Sequence, residues 1–321
     1  MSIVLPGAIL MGHNRLAPCS LVLPDDRFPE HTDWFGSPTK RIVVQHQFEQ
    51  PQQILAQRQS SVGTYNVFVG RFDNDILILY FGQYGWMSWQ SGIDLRRPFR
   101  PHDLSIQLFF ATFLCARQAK RVLIIGLGGG VLPILIRHYF PSILIDVVEI
   151  DETVIELSLD IFGLAEQTTD GHLNIIADDG FRYVKDTVQR YDMIFTDAFN
   201  GDVMPAHMNT EEYFINVRNI LNDGGCLATN ANFSITSDFD RLTQALTSTF
   251  DANILLAHNL ITENARVIIS GNRATLTSID SKEHAIQAAQ RLDLNVHFEF
   301  SLSKLLSLAY RGSLNDSTSN N

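Results

Sequence analysis

Arg121 to Leu157 reads RVLIIGLGGGVLPILIRHYFPSILIDVVEIDETVIEL. It is an apolar strand, a glycine turn, an apolar helix-length segment and a second apolar strand that ends in Glu149. Few architectures accept that order. Strands apolar at nearly every position must be covered on both faces, which is the condition of a parallel sheet. Gly126, Gly128 and Gly130 fall between strand and helix, where a missing Cβ permits a sharp turn and lets a ligand approach the helix start. A dinucleotide fingerprint needs glycine at 131, and the chain has Val131. The G-x-G-x-G spacing fits a mononucleoside such as S-adenosylmethionine better than a dinucleotide. Glu149, with Ile150 beside it, lies about 20 residues past the turn, where an acidic side chain commonly accepts the ribose hydroxyls. The competing reading is a plain tight turn followed by a solvated carboxylate.

The same alternation continues. VLIIG, LIDVVEI, LNIIAD, DMIFTDA, CLATNA, NILLAH and ARVIIS read as strands separated by helical segments, which predicts a doubly wound α/β sheet. Asn209 is the expected cap of the helix after DMIFTDA, with Glu212 three residues on and Gly224-Gly225 past its end. Before this run, RIVVQHQF, YNVFVGRF and ILILYFGQYGWMSW read as a small antiparallel β region, with FDND a tight turn. DLSIQLFFATFLCARQ has helical length and spacing. The expected organisation is an irregular arm over 1–40, a small β domain with a linking helix over 41–118, a Rossmann-like domain over 119–312 and a disordered tail over 313–321.

Composition narrows the function. Hydrophobic residues make up 45% and charged residues 18%, an ordinary globular balance. A net charge of −11 argues against nucleic acid and suits a cationic small molecule or a basic protein partner, although solubility alone explains it too. Three scattered cysteines and ten unclustered histidines offer no disulfide framework and no metal site, so no metal cofactor and a reducing, cytoplasmic location are expected. The opening segment lacks a basic region, and no apolar run reaches the ~18 residues of a spanning helix, so neither export nor a membrane partner is expected.

Other candidates lie at strand ends and loops. Asp178 and Asp179 follow the third strand, where a carboxylate accepts from an adenine amino group or forms an ordinary Asx turn. Asp197 ends the fourth strand, at the carboxyl edge where open α/β sheets bind ligands, and Asn200 and Asp202 follow on the loop. Gln90, Trp86 and Trp89 close the β region, the tryptophans reading as core or pocket wall. His207 is a general-base candidate or a structural histidine before a helix. Arg96, Arg97 and Arg100 are an anion contact or a solvated connector.

SSVGTYNVFV, WQSGID, VLIIGLGGGVLP, VVEIDETVIELS, ADDGF and YDMIFTDAFNGDVMPAHMNTEEYF together resemble the spermidine synthase family of aminopropyltransferases over about residues 55–270, and in particular a bacterial subgroup with GLGGG and DAF motifs. The resemblance implies a small N-terminal β domain, a Rossmann-like methyltransferase-type domain and often a homodimer. It implies a cofactor, decarboxylated S-adenosylmethionine, whose aminopropyl group passes to an amine acceptor. By position it implies that Gly126, Gly128, Gly129 and Gly130 line the cofactor loop, that Glu149 holds ribose and Asp179 adenine, and that Asp197 is the first aspartate of the catalytic loop. Gln90 falls where the family has a glutamine near the site.

The chain departs from the family in three places. The family loop has aspartate where Gly129 stands. The second catalytic-loop aspartate, thought to take the amine's proton, is Asn200, with Asp202 two residues on. The polyamine-holding Y-x-E corresponds to Ser105 and Gln107. An asparagine amide cannot accept that proton. A glycine at 129 removes a charge that would repel the carboxylate of intact S-adenosylmethionine. The expected activity is therefore transfer of an aminopropyl or methyl group from a sulfonium to an acceptor. A nucleoside-binding regulatory protein without turnover is the alternative.

Overall fold

A computed structural model describes residues 51–315 apart from 73–74, 84–85, 117, 200–203, 234–235 and 260–263. Before residue 51 it describes only the backbone of strand pieces two or three residues long, from Ile3–Val4 to Lys40–Ile42. Most of the expected arm, most of RIVVQHQF, the centre of the FDND turn, and Asn200 and Asp202 lie outside the described residues.

Four antiparallel strands form the smaller sheet: β1 (Gln53–Gln59), β2 (Asn66–Phe72), β3 (Ile76–Gln83) and β4 (Trp86–Asp94), in the order β4-β3-β2-β1. Val67 and Val69 alternate into the core, and Phe68 stacks on its cross-strand partner Tyr80 with ring centres 5.0 Å apart. β1 escapes the sequence reading because QILAQRQ is polar and largely exposed, as an edge strand with one partner permits. The expected helix over 103–118 is shorter. It runs as α1 (Leu104–Phe109), capped by Asp103, and tightens into a 3-10 turn over Phe110–Leu114. Phe109, Phe110 and Phe113 are all buried there, and their packing overrides helical propensity.

The larger sheet has eight strands: β5 (Arg121–Ile125), β6 (Leu144–Glu149), β7 (Leu173–Ala177), β8 (Tyr191–Thr196), β9 (Leu221–Asn230), β10 (Ala252–Asn259), β11 (Asn264–Gly271) and β12 (Tyr310–Ser313), in the order β7-β6-β5-β8-β9-β11-β10-β12. β5 to β9 are parallel. Successive residues of β5 enter two different cores. Val122 and Ile124 join one packed by α2 (Val131–Tyr139) and α3 (Glu152–Ile161), and Leu123 and Ile125 join one packed by α6 (Glu211–Asn219) and α7 (Thr236–Thr249). That double covering is why the strands read as unbroken apolar runs. β11 runs antiparallel to both β9 and β10, so the last two expected strands form a hairpin rather than parallel members.

The direction of winding reverses between β5 and β8, which opens a crevice at their carboxyl ends. Two local expectations are corrected. Thr210, not Asn209, caps α6 by accepting from the Tyr213 N–H, while the buried Asn209 amide donates to the Asp238 carbonyl. Gly224 and Gly225 lie in the irregular start of β9, which follows α6 almost directly. The expected tail begins too early: Ser313 pairs with Ile254, and the Leu314 N–H donates to the Asn253 carbonyl at 2.8 Å.

Candidate functional site

The crevice holds a cavity of about 360 Å³, floored by the ends of β5, β6 and β8 and roofed by the smaller sheet and α1. That size is at the lower end of small-molecule sites. Gly126 (φ +98°) leaves β5 against the Asp197 backbone, and a Cβ there would strike the Asp197 carbonyl. The Gly126 N–H donates to the Val148 carbonyl at 2.8 Å, and the Ser158 hydroxyl donates to the Gly128 carbonyl at 2.5 Å. These bonds fix the turn against β6 and α3.

Glu149 secures the turn itself. One carboxylate oxygen accepts from the Leu127 N–H at 2.8 Å, and the other from the Asp151 N–H at 3.0 Å. Burial pushes this carboxyl above the usual carboxylate range, against those backbone donors. Ile150 follows it, with 48% of its surface exposed at the cavity mouth. Val62, 51% exposed, reaches the same mouth from the β1–β2 turn.

Asp197 faces this wall across the cavity. The Asn230 amide donates to one of its oxygens at 2.8 Å. Burial raises its pKa to about 6, with the Asn230 bond opposing and the Asp103 charge adding to the rise. Asp103 lines the cavity while capping α1, one of its oxygens accepting from the Ser105 and Ile106 N–H groups. Asp179 caps α5 (Gly180–Asp186) through one oxygen, and its other oxygen lies 3.1 Å from His207 Nε2, both residues lining the cavity. Gln90 lines it too, its amide donating to the Ser88 hydroxyl at 3.0 Å, and Trp89 packs beside it across Gly92.

Three residues expected at the ligand lie off the cavity lining. Asp178 turns away and pairs with Arg182 on α5. A Cβ at Gly129 would meet the Phe162 ring at 2.8 Å, and one at Gly130 would meet Leu164 at 2.9 Å. Both positions face the helical layer rather than the cavity. Arg96 forms a two-pronged pair with Asp94, and Arg97 and Arg100 border a separate cleft.

One buried group was missed by sequence reasoning. Asp151 caps α3 and accepts from the Ser60 hydroxyl at 2.6 Å, the Ser61 N–H at 3.0 Å and the Ser61 hydroxyl at 2.8 Å. It thereby ties the smaller sheet to the strand end that carries Glu149. Burial opposes its ionisation, but the serine donors outweigh this and hold the carboxyl below its usual range. The signal lay in SSVGTY and EID, 91 residues apart.

Residues 109–259 match the family model for the spermine/spermidine synthase domain. The chain is thus similar to the spermidine synthase family over just under half of its length. A polyamine aminopropyltransferase of Vibrio vulnificus is 29% identical over 58% of this chain and 60% of its own length. The eEF1A lysine and N-terminal methyltransferase of Xenopus laevis is 30% identical over 53% of this chain and 26% of its own. A spermidine synthase solved with the transition-state analogue AdoDATO superposes with a TM-score of 0.63 at 15% identity, over 80% of this chain and 85% of that one. The chain thus spans less than two thirds of the curated relatives it matches and nearly the whole solved fold.

Against the spermidine synthase pattern, Ser105 is buried and lines the cavity, whereas Gln107 is turned to the cleft beyond α1 and donates to the Pro101 carbonyl. An aspartate at position 129 would point at Phe162 and not into the cavity. Among the described residues no group of three or more metal-ligating side chains occurs, and no helix is long and apolar enough to cross a membrane.

Proposed function

We propose that the chain transfers an aminopropyl group from decarboxylated S-adenosylmethionine to a small amine. The observation that carries this is a single cavity with a backbone-anchored Glu149 on one wall and Asp197, held by the Asn230 amide, on the other. Relatives named aminopropyltransferases support it. When bound, the cofactor supplies an electrophilic carbon next to a sulfonium leaving group. Glu149 has lone pairs left for ribose hydroxyls after its two backbone bonds. Ile150 and Val62 offer apolar surface to a base, and Asp179 offers an acceptor to its amino group. Asp197 attracts the cationic end. The protein's task is largely positioning, because the leaving group is already activated.

Methyl transfer from intact S-adenosylmethionine is the second reading. It is favoured by the methyltransferase among the relatives. Product analysis separates the two. Incubation with each cofactor and a panel of putrescine, spermidine and small amines is expected to release methylthioadenosine for aminopropyl transfer and S-adenosylhomocysteine for methyl transfer. Tight binding of either cofactor with neither product across the panel would return the protein to a binding role.

A further inference from the structure

Among the five carboxylates that line the cavity, Asp103 is one that the family pattern does not supply. Asp103 precedes α1, and both of its capping bonds fall on one oxygen, Oδ1. Its other oxygen has no protein partner among the described residues. Asp197 is arranged the same way, with Oδ1 taken by Asn230 and Oδ2 unpartnered among the described residues. Both line one cavity, and they lie close enough for the charge of Asp103 to act on Asp197. Like charges held together without a counter-ion are costly, and a bound cation relieves that cost. Among the described residues, no arginine or lysine lines the cavity.

The Gly129 geometry shows why a substitute is needed. With Phe162 packed against that position, the turn cannot present a carboxylate to an ammonium group. We propose that Asp103 takes over this duty and, with Asp197, holds an ammonium group inside the cavity. The inference rests on the proposed function and names one residue that carries it out. The ammonium belongs either to the aminopropyl arm of the cofactor or to the acceptor amine, and affinity measurements tell these apart.

Asp103→Asn is the informative variant, because asparagine also caps helices and leaves α1 intact. Calorimetry would compare decarboxylated S-adenosylmethionine with methylthioadenosine, which lacks the ammonium, and kinetics would give KM for the acceptor. If the group held is the cofactor's, the variant loses roughly tenfold or more in affinity for the decarboxylated cofactor and none for methylthioadenosine. If it is the acceptor's, KM for the amine rises by a similar factor and both nucleoside affinities stay put. Unchanged values on all three readouts, with melting also unchanged, overturn the proposal. Failure of the unaltered protein to bind methylthioadenosine would instead sink the functional reading beneath it. Asp103→Ala checks the fold: extra loss of thermal stability there, absent in Asp103→Asn, reports the cap alone.

Discussion

Glu149→Gln separates a nucleoside site from a merely structural carboxylate. In the protein, each Glu149 oxygen faces a backbone donor, Leu127 N–H at 2.8 Å and Asp151 N–H at 3.0 Å. A glutamine amide can accept from only one of them and turns its NH₂ toward the other. The glycine turn or the α3 start must then shift, and a ribose loses a charged acceptor. Hydrogen bonds to charged groups contribute about 1.5–3 kcal/mol, so nucleoside affinity is expected to fall roughly 10- to 150-fold. Global stability responds less, because the buried ionised carboxylate already carries a desolvation cost that glutamine avoids. Calorimetric titration with methylthioadenosine reads the first effect, and thermal melting the second. Affinity within about twofold of the unaltered protein would refute the ribose assignment, whatever the melting shows.

Further outcomes follow from the neighbouring groups. Gly129→Asp is expected to lower stability by about 1–3 kcal/mol through overpacking against Phe162 and to leave cofactor preference unchanged, while Phe162→Leu in the same chain recovers part of the loss in a melting cycle. The folded-state pKa of Asp197 lies at about 6, above its unfolded value, so its ionisation costs stability as pH rises through that range. Asp197→Asn should therefore raise the melting temperature at pH 8 and leave it unchanged below pH 4, and the same variant should abolish any fall in cofactor affinity between pH 7 and 5. Asp151 behaves oppositely: its depressed pKa contributes stability above the unfolded value that is lost as pH falls through the folded one. Asp151→Asn should lower the melting temperature at pH 7, with the difference from the unaltered protein shrinking toward pH 3.

The sheet was readable because its strands are covered on both faces and so announce themselves as unbroken apolar runs. The strand-end residues were readable for a related reason, since an open α/β sheet places them at one edge. Gly126, Gly128, Glu149, Ile150, Asp179, Asp197 and Gln90 all line the cavity. What stayed hidden depends on contacts between distant segments or on side-chain direction. Asp151 and Ser60 meet across 91 positions. Asp103 looks like an ordinary helix cap until α1 is seen over the cavity. Gly129 sits one residue from a lining glycine, yet the turn aims its missing side chain the other way. β1 was lost because an edge strand has no need of an apolar pattern.

The aromatic wedge at Phe162 also bears on how such a chain can change over generations. Its ring fills the space that an acidic residue at 129 would enter. Placing an aspartate at 129 would thus take two coordinated substitutions, since shrinking the ring first leaves a void and adding the acid first creates a clash. Either single change alone is destabilising, so the two are tolerated only together.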